Sequence, residues 1–291
     1  MMETTMPILI TGASGKTGRR AITAIAKMGG RGRAFLRRPE VADDLTKAGA
    51  AEIAIGDLTD RDSLRRALTG AGQVLHICPP MHPQEDTIAA TMIELAREQG
   101  VARFVLYSVL HPLLEDVPHH RRKLKAERHL INSGLTYTIL QPSRYMQHLL
   151  PIWNSVLKSG VHSMPFDTTA RFSVVDLADL AEATALVLTQ PGHEGATYQL
   201  AGPQALSQDD MAQTLSRLLG RPIAAVAKQL DEFRREATAA GLPAERIETM
   251  FLMNAHYSAH GLVGNPNVLR WLLCREPASF ADFVSRELLS K

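Results

Sequence analysis

The sequence predicts an α/β chain built on a doubly wound parallel sheet, with a smaller C-terminal α/β region. Two observations carry this reading. Short, nearly continuous apolar runs alternate with amphipathic stretches through roughly the first half, the pattern of strands that crossover helices bury on both faces. The first of these runs, residues 7–10, leads directly into a turn with glycines at 12, 15 and 18 and then into a helical pattern.

The elements follow in order. Residues 7–10 form the first strand and 16–28 a helix closed by Gly29-Gly30. Gly12 permits a tight turn, Gly15 lets a ligand approach the backbone, and Gly18 lets the helix pack closely on its strand. The free N–H groups and positive dipole end of that helix then face a pyrophosphate, with Ser14, Lys16 and Thr17 completing the loop. This is the dinucleotide-binding arrangement of a Rossmann sheet. A second strand, 33–36, ends in Arg37-Arg38, where an acid holds a ribose diol and an arginine instead accommodates a 2′-phosphate. The pair favours NADP(H) over NAD(H), with Arg37 as the contact and Lys16 as a helper; the competing reading is a solvated basic edge.

Residues 51–55 are the third strand, followed by Gly56-Asp57-Leu58 and a helix over 60–68. Strand 74–78 breaks at Pro79-Pro80, and helix 84–99 leads to strand 103–107. Helix 116–133 and strand 136–141 complete six βα repeats. Ligands bind such sheets at the carboxyl ends of the strands, which puts Gly12, Arg37, Asp57, Cys78 with Pro79, Ser108 and Pro142 along one rim. Asp57 suits an adenine amino group with Leu58 packed on the ring; equally, the three residues read as a strand-to-helix turn.

Composition fits an enzyme-sized globular chain. At 291 residues, 45% hydrophobic and 21% charged, it can bury a sizeable core. A net charge of +2 argues for neither a nucleic-acid nor a membrane partner. The two cysteines, Cys78 and Cys274, imply no disulfide framework and point to a reducing, cytoplasmic compartment. No secretory or membrane-spanning segment is found, and residues 1–6 read as a frayed lead-in. The oligomeric state stays open, a homodimer being one option.

The stretches TGASGKTG, FLRRPE, GDLTDRDSL, HRRKLKAERHLINSGLTYTILQP and FSVVDLADLAEATALVLTQPGHEGATYQLAGPQALS together resemble the NmrA-like group of atypical short-chain dehydrogenases/reductases across essentially the whole chain. The resemblance implies an NADP-binding Rossmann domain over 1–142, with 171–190 returning to it, and a substrate region over 143–170 and 191–291. It implies quinone, dye or phenylpropanoid reductases, or NADP-sensing regulators without turnover.

The larger superfamily carries Tyr-x-x-x-Lys on one helix, which sets phenol and ammonium on one face. The corresponding pair here is His119 and Lys123; the tyrosine is missing. Lys123 can hold the nicotinamide ribose, and Ser108 takes the position of the superfamily's catalytic serine. His119 is a candidate acid, or a polar residue of the first helical turn. Without a positioned acid, ketone reduction loses about 10²–10⁴ in rate. Quinones, cationic dyes, imines and enones need the acid less, because the product anion is delocalised or the acceptor already cationic.

Beyond strand six, Gln141 and His148 stand where relatives usually have Arg and Asn. Backbone groups of Pro142 and Ser143 suit a nicotinamide carboxamide. Tyr145, Met146, His148 and Trp153 line a pocket or belong to the core, and Tyr145 offers a phenol in place of the missing one. A helix opens at Val174 and runs to Leu188, with Asp176 and Asp179 as caps; a strand over 198–202, a helix over 207–219 and helices over 231–240 and 244–259 follow. His256 and His260 are four apart without a third ligand, so no metal site is assigned. Two functions remain: an NADPH-dependent reductase of a small conjugated acceptor, with Lys123, Ser108, His119 and Tyr145 as catalytic candidates, and a non-catalytic NADP(H) sensor. An isoflavone-reductase-like enzyme is a weaker third.

Overall fold

The computed structural model describes residues 6–290; the lead-in expected over 1–6 lies outside them except for exposed Met6. In chain order the first elements are β1 Ile8–Ile10, α1 Lys16–Lys27, β2 Gly32–Leu36, α2 Ala42–Lys47, β3 Ala50–Ile55, α3 Arg61–Leu68, β4 Gln73–His76, α4 Glu85–Glu98, β5 Arg103–Tyr107, α5 Pro118–Ile131 and β6 Tyr137–Pro142. There follow α6 Trp153–Ser159, β7 Val161–Met164, β8 Phe172–Ser173, α7 Leu177–Thr189, β9 Ala196–Leu200, β10 Ala205–Leu206, α8 Gln208–Leu219, β11 Ala224–Ala227, α9 Leu230–Ala239, α10 Ala244–His260, α11 Asn267–Leu273 and α12 Phe280–Val284.

The main sheet has the order β3-β2-β1-β4-β5-β6-β9, and its first six members pair in parallel. Leu9, Val74, Phe104 and Ile139 from the strands meet Leu64, Leu68, Met92, Leu95 and Leu130 from the helices in one buried cluster. Helices on the sheet's faces explain why the strands read as unbroken apolar runs. The order reverses between β1 and β4, the switch point where doubly wound sheets open a crevice.

The chain divides into two compact units. The first comprises residues up to 113, 120–141 and 180–198; the second comprises 114–119, 142–179 and 199–291. The segment returning to the first unit is therefore 180–198, later than the expected 171–190, because it carries most of α7 and the start of β9. In the second unit two small pairs form, β10 antiparallel to β8 and β11 parallel to β7.

Several boundaries differ from the expected ones. The fourth strand stops at His76 instead of 78, because the Thr11 hydroxyl takes over Ile77: it accepts from Ile77 N at 2.9 Å and donates to Ile77 O at 3.1 Å. The helix expected from Val174 begins at Leu177, since Asp176 caps it by accepting from Ala178 N at 2.9 Å. Asp179 is no cap; its carboxylate accepts from Arg275 and from Ala278 N, both at 2.7 Å. The strand expected over 198–202 runs Ala196–Leu200.

Candidate active site

The turn after β1 fits the three glycines tightly. Gly12 has φ +62°, and a Cβ there would lie 2.6 Å from Ile77 O. At Gly18 a Cβ would lie 2.4 Å from Gly12 O, so the helix can approach the turn only without one. Gly15 is the N-cap of α1, with extended backbone and no side chain bonded to the first-turn amides. No acid occupies that first turn, and Ser14, Gly15 and Lys16 are exposed while Thr17 is half-buried. The helix thus presents unsatisfied donors and a positive dipole end, the combination that binds phosphates.

Beside it lies a cleft of about 270 Å³, whose walls include Gly12, Ser14, Arg37, Arg38, Asp57, Leu58, Pro79 and His82. Arg37 and Arg38 are exposed at the end of β2. Asp57 Oδ1 accepts from Thr59 N at 2.8 Å and from Thr59 Oγ1 at 2.6 Å. These bonds, helped by the charges of Arg37 and His82, hold its carboxyl below the usual range. Asp57 is thus both a turn-forming residue and a wall of the cleft, so its two sequence readings coexist. His82, on the loop after Pro79-Pro80, was not anticipated; nothing in its local sequence points to the cleft.

A buried polar cluster sits at the carboxyl ends of β4 and β5. Lys123 Nζ donates to Tyr107 O at 2.6 Å and pairs with Glu85 Oε1 at 2.6 Å, and both side chains are buried. His76 pairs with Thr11 Oγ1 at 3.0 Å and is pushed down to about 3, by burial first and then by Lys123. Cys78 is buried and its thiol pushed up to about 12 by burial and by Glu85, so it stays protonated and unreactive at neutral pH. Ser108 Oγ donates to Glu127 Oε1, which also accepts from Gln141 Nε2 at 2.9 Å. Burial raises Glu127 above the usual carboxylate range against these bonds. Lys123 is therefore an ammonium already engaged by a carboxylate and a carbonyl, and Ser108 a hydroxyl already bonded to an acid. Sequence reasoning missed Glu85 and Glu127.

His119 lies half-buried in the first turn of α5 and belongs to the second unit, whereas Lys123 belongs to the first. In the second unit, Ser143 N donates to Leu200 O at 3.0 Å, and proline has no N–H. The backbone groups that Pro142 and Ser143 offer a carboxamide are therefore their carbonyls, beside the buried Ser143 hydroxyl. Tyr145 stacks on His148 with ring centroids 5.6 Å apart at 15°. Tyr145, Met146 and His148 line a second-unit cavity; Trp153 is not among its walls. His256 and His260 have ring centroids 4.7 Å apart, and among the described residues no group of three His, Cys, Asp or Glu side chains is placed to hold a metal.

Comparison with known proteins agrees with this geometry. The family described as NAD(P)H-binding matches residues 12–191. An NAD(P)H azoreductase of Xenophilus azovorans is 28% identical over 277 residues, covering 95% of this chain and 96% of the relative. The crystal structure of the NADPH-dependent quinone oxidoreductase QOR2 of Escherichia coli, complexed with NADPH, superposes with a TM-score of 0.83 at 26% identity, covering 96% of this chain and 98% of that one. Nmra, a negative transcriptional regulator crystallised with NAD, shares the fold alone, with a TM-score of 0.78 at 18% identity over 98% of this chain and 95% of its own.

Proposed function

Because the chain belongs to the NAD(P)H-binding family, we propose that it is an NADPH-dependent reductase of small conjugated acceptors of the quinone, dye, imine or enone type. The observation that carries this reading is the first-unit cleft: an uncapped helix start at Gly15, a backbone kept bare at Gly12 and Gly18, and Arg37 with Arg38 on the adjoining wall. The relatives described as an azoreductase and a quinone oxidoreductase support the acceptor class.

The residues fit the nucleotide as follows. The α1 amides with Ser14, Lys16 and Thr17 take the pyrophosphate, Arg37 takes the 2′-phosphate, and Asp57 with Leu58 flank the adenine. Lys123, fixed by Glu85 and the Tyr107 carbonyl, is assigned to the ribose side. Bound NADPH supplies a hydride, which with one proton turns a quinone into a hydroquinone and leaves NADP⁺. Ser108 with Glu127, His119 and Tyr145 are the groups assigned to assist that proton. Delocalised product anions make the reaction tolerant of a weak acid, in keeping with the missing tyrosine.

Among the described residues no helix is long and apolar enough to cross a membrane. We place the protein in the reducing cytoplasm, consistent with two free cysteines, one buried and one exposed.

The test is NADPH oxidation by purified protein across quinones, cationic dyes and enones, with NADH in parallel and Arg37→Ala as the cofactor probe. Acceptor-dependent turnover is expected, with NADPH preferred. Arg37→Ala should weaken NADPH about 10- to 100-fold, from loss of a charge-assisted bond of about 1.5–3 kcal/mol, and leave NADH nearly unchanged. Equal losses for both cofactors would remove the 2′-phosphate assignment. Tight NADPH binding without turnover of any acceptor would favour a cofactor sensor instead.

A further inference from the structure

Three buried polar side chains of the first unit meet at the carboxyl ends of β5 and β6, beneath α5. Ser108 Oγ is bonded to Glu127 Oε1, and Gln141 Nε2 donates to Oε1 at 2.9 Å and to Oε2 at 3.1 Å. Ser108, Glu127 and Gln141 are 5, 6 and 5% exposed, so bulk water does not serve their contacts. Ser108 N also donates to Leu140 O at 2.7 Å, which ties the serine to the neighbouring strand.

Glu127 differs from the other buried acid of this region in the charge of its partners. Glu85 has a cation beside it, the Lys123 ammonium at 2.6 Å. Glu127 has a hydroxyl and an amide, both neutral. Among the described residues the charge acting on it is the same Lys123, whose Nζ is already engaged by Glu85 and by Tyr107 O. Burial without a contacting cation disfavours the carboxylate, and it raises Glu127 above the usual range against the bonds from Ser108 and Gln141.

The same contacts serve both protonation states. With Glu127 ionised, Ser108 donates to Oε1 and the amide donates to both oxygens. With a proton on Oε1, the carboxyl donates to Ser108 Oγ and the amide still donates to Oε2. The hydroxyl proton of Ser108 is then released from Glu127 and can be given to another acceptor. Protonating Glu127 thus turns Ser108 from a donor spent inside the fold into a donor at the strand end.

We propose that Glu127 stores the proton used in the reduction and delivers it through Ser108, with Gln141 holding the carboxyl by a neutral contact that lets it take up and release that proton. The inference rests on the reductase reading above and names the source of its proton. Hydride from bound NADPH, which is left as NADP⁺, reaches one atom of a neutral conjugated acceptor. The Ser108 hydroxyl gives its proton to the atom that gains the electron pair, Ser108 Oγ takes the proton of Glu127, and Glu127 is left as the carboxylate. Solvent returns a proton to Glu127 between turnovers. Ser108 is the group that meets the acceptor; Glu127 acts through it, as a positioning residue.

Two readouts test this. The first is infrared spectroscopy of the protein alone. The wild type should show a buried carboxylic-acid C=O stretch that titrates above the ordinary glutamate value of about 4.3 and that Glu127→Gln removes. Gln141→Arg gives the carboxyl a cation and should move that titration down, which keeps the test open if Glu127→Gln does not fold. The second is turnover with NADPH of azobenzene, which needs a hydride and a proton, against malachite green, a cation that needs the hydride alone. Glu127→Gln should cut kcat for azobenzene about 10²-fold more than for malachite green. It should also erase the fall of azobenzene turnover as pH rises through the Glu127 titration. Glu127→Asp, which keeps an acid, should recover part of the difference. A carboxyl band that Glu127→Gln leaves in place, or none above the ordinary range, overturns the store. Equal losses on the two dyes, or turnover of malachite green alone, overturn the delivery and leave the reductase reading intact. With no turnover of either dye the reductase reading falls, and the infrared band then decides alone: its presence supports the store and its absence overturns it.

Discussion

Lys123 and Glu85 place two opposite charges where little water reaches, 8% and 2% exposed, with Nζ 2.6 Å from Oε1. Removing one partner of such a pair strands the other, at a cost of about 3–5 kcal/mol, whereas replacing both with apolar side chains is often close to neutral. Glu85→Gln should therefore lower stability by several kcal/mol in urea unfolding, and Glu85→Leu with Lys123→Met should recover most of the loss. If single and double variants unfold alike, the pair is not coupled. Lys123 was legible in the sequence because the four-residue spacing from His119 matches a known helical pair. Glu85 was not: it stands in the first turn of α4, where an acid is ordinary complement to the helix dipole. Glu127 reads similarly as one more charge on a charged helix, and only the fold turns it toward Ser108.

At the scale of elements, the β1–α1 turn was the most legible part of the chain, because each glycine has a steric reason. Gly18→Ala gains helix propensity of about 1 kcal/mol but forces a Cβ against the Gly12 carbonyl and Ala13 Cα, backbone atoms that cannot move aside. A net loss of about 1–3 kcal/mol is expected, with weaker NADPH binding as a consequence. Gly15→Ala is the contrast: φ −74° suits alanine, and only Gly12 O comes close, at 3.2 Å. It should keep most of the stability and still lose nucleotide affinity by fluorescence titration. Equal melting temperatures for both variants would refute this division of roles. Long elements with clear periodicity, such as α4, α8 and α10, were also legible. The short strands β8, β10 and β11 were not, because two to four residues outside a βα repeat carry no readable period.

For the whole molecule, each unit buries a neutral histidine, His76 in the first and His162 in the second, held at about 3 and about 4. The unfolded chain titrates them near 6.5, so below that pH it binds more protons than the folded chain and stability falls as pH falls. Each contributes up to about 1.4 kcal/mol per pH unit, the loss continuing down to its folded value. Glu127 and Asp179 act in the opposite sense, since burial raises both and their folded advantage is lost as pH rises above the unfolded carboxylate value. Between pH 6.5 and 5 the unfolded carboxyls are already mostly ionised, so any proton the folded carboxyls keep opposes the histidine slope. The single-site comparison isolates the histidine part. Urea unfolding of the wild type and His76→Gln at pH 7, 6 and 5 should show the variant losing less stability per pH unit, by up to about 1.4 kcal/mol. The same slope in both proteins would mean that His76 takes up protons in the fold as it does in the unfolded chain, and that the cluster around Thr11, Lys123 and Glu85 is wetter than its burial implies.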